Sequence, residues 1–171
     1  MERPRWVLLV YRLPREPSRH RVAVWRKLRD LGALYLKDGV AALPEDAVTR
    51  EQMEWLQLRV REARGEATLW EGRPGTVAEE DELVGDFRAS REEAYRGIIA
   101  GAERVRRKAQ MGGKALMEQL GKLEREFRAE RRRDYFRSPL RGEAAVALKA
   151  ARAAVRDQEG TAATARTEGE G

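Results

Sequence analysis

Seven basic side chains crowd residues 15–29: Arg15, Arg19, His20, Arg21, Arg26, Lys27 and Arg29. Guanidinium groups carry paired donors that match a phosphate or another tetrahedral oxyanion. A helix start read at Ser18 would add its own preference for anions. Arg15, Arg19, Arg21, Arg26 and Lys27 are therefore a candidate DNA or anion site. The competing reading is a solvated helix face with a few Arg–carboxylate pairs. A second run, Arg131-Arg132-Arg133, precedes Asp134-Tyr135-Phe136. It reads either as contact with a nucleic-acid backbone, the aromatic pair adding stacking, or as basic residues that complement a helix C-terminus.

Little else in the chain offers chemistry. Cysteine is absent and His20 is the only histidine, which removes thiol catalysis, disulfides and closed Cys/His metal sites. There is no Walker loop, GxSxG, HExxH or zinc-finger spacing. No catalytic residue, metal ligand or cofactor is assigned, and an enzyme is not expected. Lys+Arg number 35 against 29 Asp+Glu, a net charge of +6 with pI near 10.0, and the excess lies before residue 138. Such a balance attracts polyanions non-specifically. The N-terminal apolar run is short, is closed by Arg12 and Pro14, and lacks a small-residue cleavage site, so a soluble, cytoplasmic protein without membrane contact is expected.

The elements that would position the first cluster surround it. Trp6–Leu13 is a nearly unbroken apolar run, which fits a central strand buried on both faces. Val24, Leu28 and Leu31 follow at helical spacing, with Ser18 as N-cap and Gly32 as the left-handed residue past the end. Residues 33–43 read as two short strands or as one strand with a bulge at Lys37-Asp38-Gly39. Thr49 and Gln52 form a capping-box pattern before Met53, Leu56, Val60 and Ala63, with Gly65 closing that helix. Residues 66–72 alternate as a last strand. Trp6, Trp25 and Trp70 are expected in the core, and Trp55, off the Met53–Val60 face, on a contact surface.

Residues 1–76 thus spell an α+β unit of the ferredoxin-like pattern, β-α-β-β-α-β. An all-α extension over 77–156 follows. Val77–Ala109 has an acidic opening and a basic close, although Gly85, Gly97 and Gly101 weaken it. Gly112-Gly113 ends it, and 114–136 resumes with Leu116, Leu120, Leu123 and Phe127 as the face of a helical hairpin. Ser138-Pro139 starts a last helix on Ala144, Leu148, Ala151 and Val155. Residues 157–171 read as a disordered tail.

The stretches WVLLVYRLPREPSRHRVAVWRKLRDLGALYLKDGVAALP, TREQMEWLQLRVREARGEATLWEG, FRASREEAYRGI and RRDYFRSPLRGEA, in that order, resemble the N-terminal domain of the chromate-resistance protein ChrB. The resemblance spans about residues 5–155. It implies a stress-response protein of a chromate-resistance operon, tied to a chromate efflux transporter and to transcriptional control. The expected partners are promoter DNA, chromate as an oxyanion ligand, and a second copy of the chain. The first unit is also similar in outline to the ferredoxin-like module of PaaX-type repressors and of the CRISPR-associated adaptation nuclease. That nuclease has a metal-binding aspartate directly after the tyrosine ending strand 1. Here Arg12 follows Tyr11, which disfavours a metal-dependent nuclease. The alternative to a DNA-binding regulator is a protein-interaction module built on the helical hairpin.

Overall fold

The computed structural model describes residues 3–109 and 114–168. It is a mixed α+β chain, mostly helical, with a four-stranded antiparallel sheet and five helices among the described residues. Two compact units divide it, Met1–Phe87 and Arg88–Gly171. The boundary falls inside a helix, later than the change of sequence pattern at residue 77.

In the first unit the strands β1 (Trp6–Arg12), β2 (Leu34–Lys37), β3 (Val40–Pro44) and β4 (Glu66–Gly72) lie in the order β2-β3-β1-β4. Helix α1 (Ser18–Leu31) follows β1, and α2 (Ala47–Glu62) follows β3. Alternation along β1 sends Val7 and Leu9 to one face and Trp6 and Leu8 to the other. Leu9 stands opposite Ala41 and Leu69, and Val7 opposite Leu43. That first face meets the apolar stripes of the helices, Val24 and Leu28 of α1 and Met53, Leu56 and Val60 of α2, all buried. The opposite face is covered only in part. Trp6 is buried beside Phe87, ring centres 5.5 Å apart, while Val10, Leu36 and Trp70 remain exposed.

Residues 33–43 resolve into two strands joined at Asp38-Gly39, with a register shift between Tyr35 and Lys37. Gly39 has φ +74°, and a Cβ there would collide with the Tyr11 carbonyl, so only glycine lets the Tyr11 N–H donate to the Gly39 carbonyl at 2.7 Å. Gly32 ends α1 in the left-handed region, as its position predicts. Other expectations about helix ends are corrected. The α1 N-cap is Pro17, and the Ser18 N–H donates to the Glu16 carboxylate. The capping box of α2 is Asp46 with Thr49, three residues before the predicted pair, because Asp46 Oδ1 accepts from the Thr49 N–H and Thr49 Oγ1 from the Asp46 N–H. Past α2 it is Arg64, not Gly65, that takes positive φ.

Helices α3 (Val77–Lys108), α4 (Lys114–Arg132) and α5 (Leu140–Glu168) complete the chain. In the second unit they share a core of Tyr95, Ile98, Val105, Leu120, Leu148 and Val155, with Leu123 and Phe127 packed against it. Leu120, Leu123 and Phe127 therefore do the work their spacing predicts. So do Ala144, Leu148, Ala151 and Val155 of α5, all buried. Helix α3 is unbroken despite its glycines. At Gly101 the Leu123 side chain of α4 packs against the α3 backbone, since a Cβ there would stand 2.6 Å from Leu123 Cδ2. The predicted Gly112-Gly113 break lies outside the described residues. Helix α4 stops at Arg132, short of Phe136. Ser138 caps α5, its Oγ accepting from the Leu140 N–H. Helical backbone of α5 runs on to Glu168, past the start of the tail read at residue 157.

Candidate functional site

The first basic cluster sits on α1 and the turn before it. With 100° per residue, Arg19 and Arg26 fall on one face, with Lys27 beside them toward α2, and Arg21 lies across the buried Val24–Leu28 stripe. Arg15, Arg19, Arg21 and Arg26 are exposed and Lys27 half-buried. None of these five side chains has a carboxylate partner among the described residues. Asp30 is the sole acidic residue of α1. Several arginines elsewhere are engaged: Arg3 with Glu80, Arg50 with Glu45 and Glu71, Arg91 with Glu130, and Arg152 with Glu124.

Between α1 and α2 lies a depression of about 400 Å³, lined by Arg19, His20, Val24, Trp55, Leu56 and Arg59 among others. Trp55 is flanked by two cations, the Arg59 guanidinium 4.8 Å and the Lys27 ammonium 5.6 Å from its ring centre. Such a pair places positive charge beside a large, 43% exposed ring. The arrangement offers an anionic ligand both ion pairing and an apolar surface. Arg59 escaped the sequence analysis, although it stands four residues after Trp55 and so on the same side of α2. Its exposed pairing with Glu62 at 3.2 Å is a weak restraint.

One sequence expectation at this face, a buried Trp25, fails. The α1 N-terminus receives the Glu16 carboxylate at the Ser18 N–H, 3.2 Å away, so a first-turn donor is directed to the protein's own anion. Trp25 is not core but 46% exposed, with the Arg29 guanidinium 5.2 Å from its ring centre. Trp70 is likewise exposed, on the less covered face of the sheet, whereas Trp6 is buried as expected.

The second cluster belongs to the other unit and behaves differently. Arg131 and Arg132 are exposed in the last turn of α4. Arg133 pairs with Glu130 at 2.7 Å, and Glu130 also takes Arg91 at 2.6 Å, all three side chains being largely buried. Beside them the Tyr95 hydroxyl donates to Asp134 Oδ2 at 3.1 Å, and Asp134 Oδ1 accepts from the Ser138 N–H at 2.9 Å. Burial, then the Asp134 charge and hydrogen bond, push the Tyr95 phenol well above its ordinary pKa and hold it neutral. Arg133 is thus part of a structural network, and the sequence run divides into two exposed cations and one internal. Tyr135 and Phe136 are half-buried in the turn after α4.

Among the described residues no group of three or more His, Asp or Glu stands close enough to hold a metal ion, and no helix is long and apolar enough to cross a membrane. Comparison with known proteins gives one result. Residues 21–165 match the family model described as Protein ChrB, N-terminal, and the chain belongs to that family. No curated protein and no solved structure matches it.

Proposed function

We propose that this ChrB-family chain is a cytoplasmic regulator of chromate resistance that binds DNA through the α1–α2 face of its first unit. The observation that carries this reading is the gathering of five cations without a carboxylate partner among the described residues, Arg15, Arg19, Arg21, Arg26 and Lys27, on α1 and the turn before it, beside the exposed Trp55 ring. Phosphate contacts would fix the protein on the duplex without reading sequence. Trp55, between Lys27 and Arg59, adds an apolar contact at the same place. We read the first unit as a ferredoxin-like module, a reading supported by the strand order β2-β3-β1-β4, by antiparallel pairing throughout, and by two crossover helices on one face.

Chromate is a tetrahedral oxyanion, and the same guanidinium groups are chemically suited to it. Fluorescence anisotropy of a labelled duplex from a chromate-resistance promoter, with and without chromate, tests the proposal. Binding that weakens with salt, and a change in binding on adding chromate but not chloride of equal ionic strength, is the expected result. Absence of duplex binding even at low salt refutes it.

A further inference from the structure

The less covered face of the sheet has a character opposite to that of α1. A groove of about 610 Å³ runs between this face and the first turns of α3, floored by Trp6, Leu8, Leu36, Ala42, Trp70 and Leu83. Trp70 is 62% and Leu36 46% exposed. The indole N–H of Trp70 donates to Thr68 Oγ1 at 3.1 Å, which satisfies the polar tip and leaves the ring as bare apolar surface. Along the α3 wall stand Glu79, Glu82 and Asp86, spaced three and four residues apart and so on one side of the helix. Glu79 caps the helix through Thr76. Glu82 and Asp86 have no cationic partner among the described residues, although the chain carries a net charge of +6.

Unpaired like charges four residues apart cost a helix stability rather than adding to it, and beside an uncovered apolar floor they define a complementary ligand. We infer that this groove docks a cationic amphipathic segment of a partner protein, its apolar side chains on Trp70 and Leu36 and its Lys or Arg residues against Glu82 and Asp86. Nucleic acid is repelled by the same wall. A second copy of the chain docked through the same groove would set carboxylate against carboxylate across a two-fold axis. Arg73, the cation in the lining, would then have to offset both walls. A polyamine would meet the carboxylates and leave the indole uncovered.

The test titrates the full chain by calorimetry with a synthetic amphipathic helix of Leu and Lys, and with a Leu/Glu peptide that keeps the same apolar positions. The Lys peptide binds and the Glu peptide does not. Trp70→Ala weakens the Lys peptide roughly thirtyfold, the effect of losing an aromatic anchor. Glu82→Gln with Asp86→Gln removes most of the salt dependence. The substituted side chains are exposed; should Trp70→Ala unfold the chain by circular dichroism, the double Gln variant alone decides. Equal binding of the two peptides, or affinity and salt dependence unchanged in the variants, overturns the inference. So does a dimer in sedimentation that Trp70→Ala dissociates, because the groove would then belong to a second copy.

Discussion

The arginines of α1 and the Arg91–Arg133 pair of the helical unit are the same residue type in opposite settings. In the helical unit, Arg91 and Arg133 converge on Glu130, with side chains 13%, 18% and 12% exposed. There the cations are components of the fold, and removing one would leave a carboxylate short of a partner in a poorly solvated place. On α1 the arginines stand in solvent with Asp30 as the sole acidic residue of the helix, where they contribute little to folding and repel one another slightly.

That contrast breaks first if the helical unit is not held as described. Leu120→Ala should cost about 2–5 kcal/mol, because the side chain is 3% exposed within the shared core. The loss should be independent of protein concentration in denaturant titrations. A concentration-dependent loss would place the Leu120 face in a subunit interface instead. Next in size, Arg91→Ala should lower stability by about 2 kcal/mol, within the range for losing a hydrogen bond to a charged group, Glu130 keeping only Arg133. It should leave DNA affinity as it was. A fall in affinity with stability retained would put Arg91 among the ligand contacts and erase the distinction.

Tyr95→Phe sharpens the same side of the comparison. It should cost about 1 kcal/mol for the bond to Asp134. Because the folded Tyr95 phenol titrates above the unfolded value, its contribution is complete below roughly pH 10 and is lost as pH rises beyond it. The Phe variant should show a shallower alkaline decline, though Tyr35, also raised by burial and by Tyr11, keeps part of the wild-type slope. An identical alkaline profile would mean that Tyr95 is not held neutral by the fold.

The organisation of these two regions was unequally legible in the sequence. Strand order along the chain, the helix faces at Val24–Leu28, Leu116–Phe127 and Ala144–Val155, and the Ser138 cap followed from local periodicity and capping chemistry. The Arg91–Glu130 and Tyr95–Asp134 pairs each join residues 39 apart, and no local pattern encodes such partners, so Arg133 was grouped with its exposed neighbours. Trp25 and Trp70 misled for another reason. An apolar residue in a strand or helix shows which way it points relative to its neighbours, not whether anything covers that side. The Asp46 cap of α2 was missed because Thr49, its partner, is itself a good cap residue.

The smallest expected changes in stability per site accompany the most direct test. Arg19→Ala and Arg26→Ala should each alter the melting free energy by no more than about 0.5 kcal/mol, since both are exposed without a carboxylate partner among the described residues, and Lys27→Ala by about 0.5–1 kcal/mol for its contact with the Trp55 ring. The decisive quantity is the slope of log affinity for duplex DNA against log salt, measured for the variant carrying all three substitutions and for Arg131→Ala/Arg132→Ala beside the unaltered chain. The α1 variant should lose roughly 0.9 of slope per phosphate contact removed, over all duplex sequences alike. The α4 variant should retain the parent slope. An unchanged slope in the α1 variant would contradict the account.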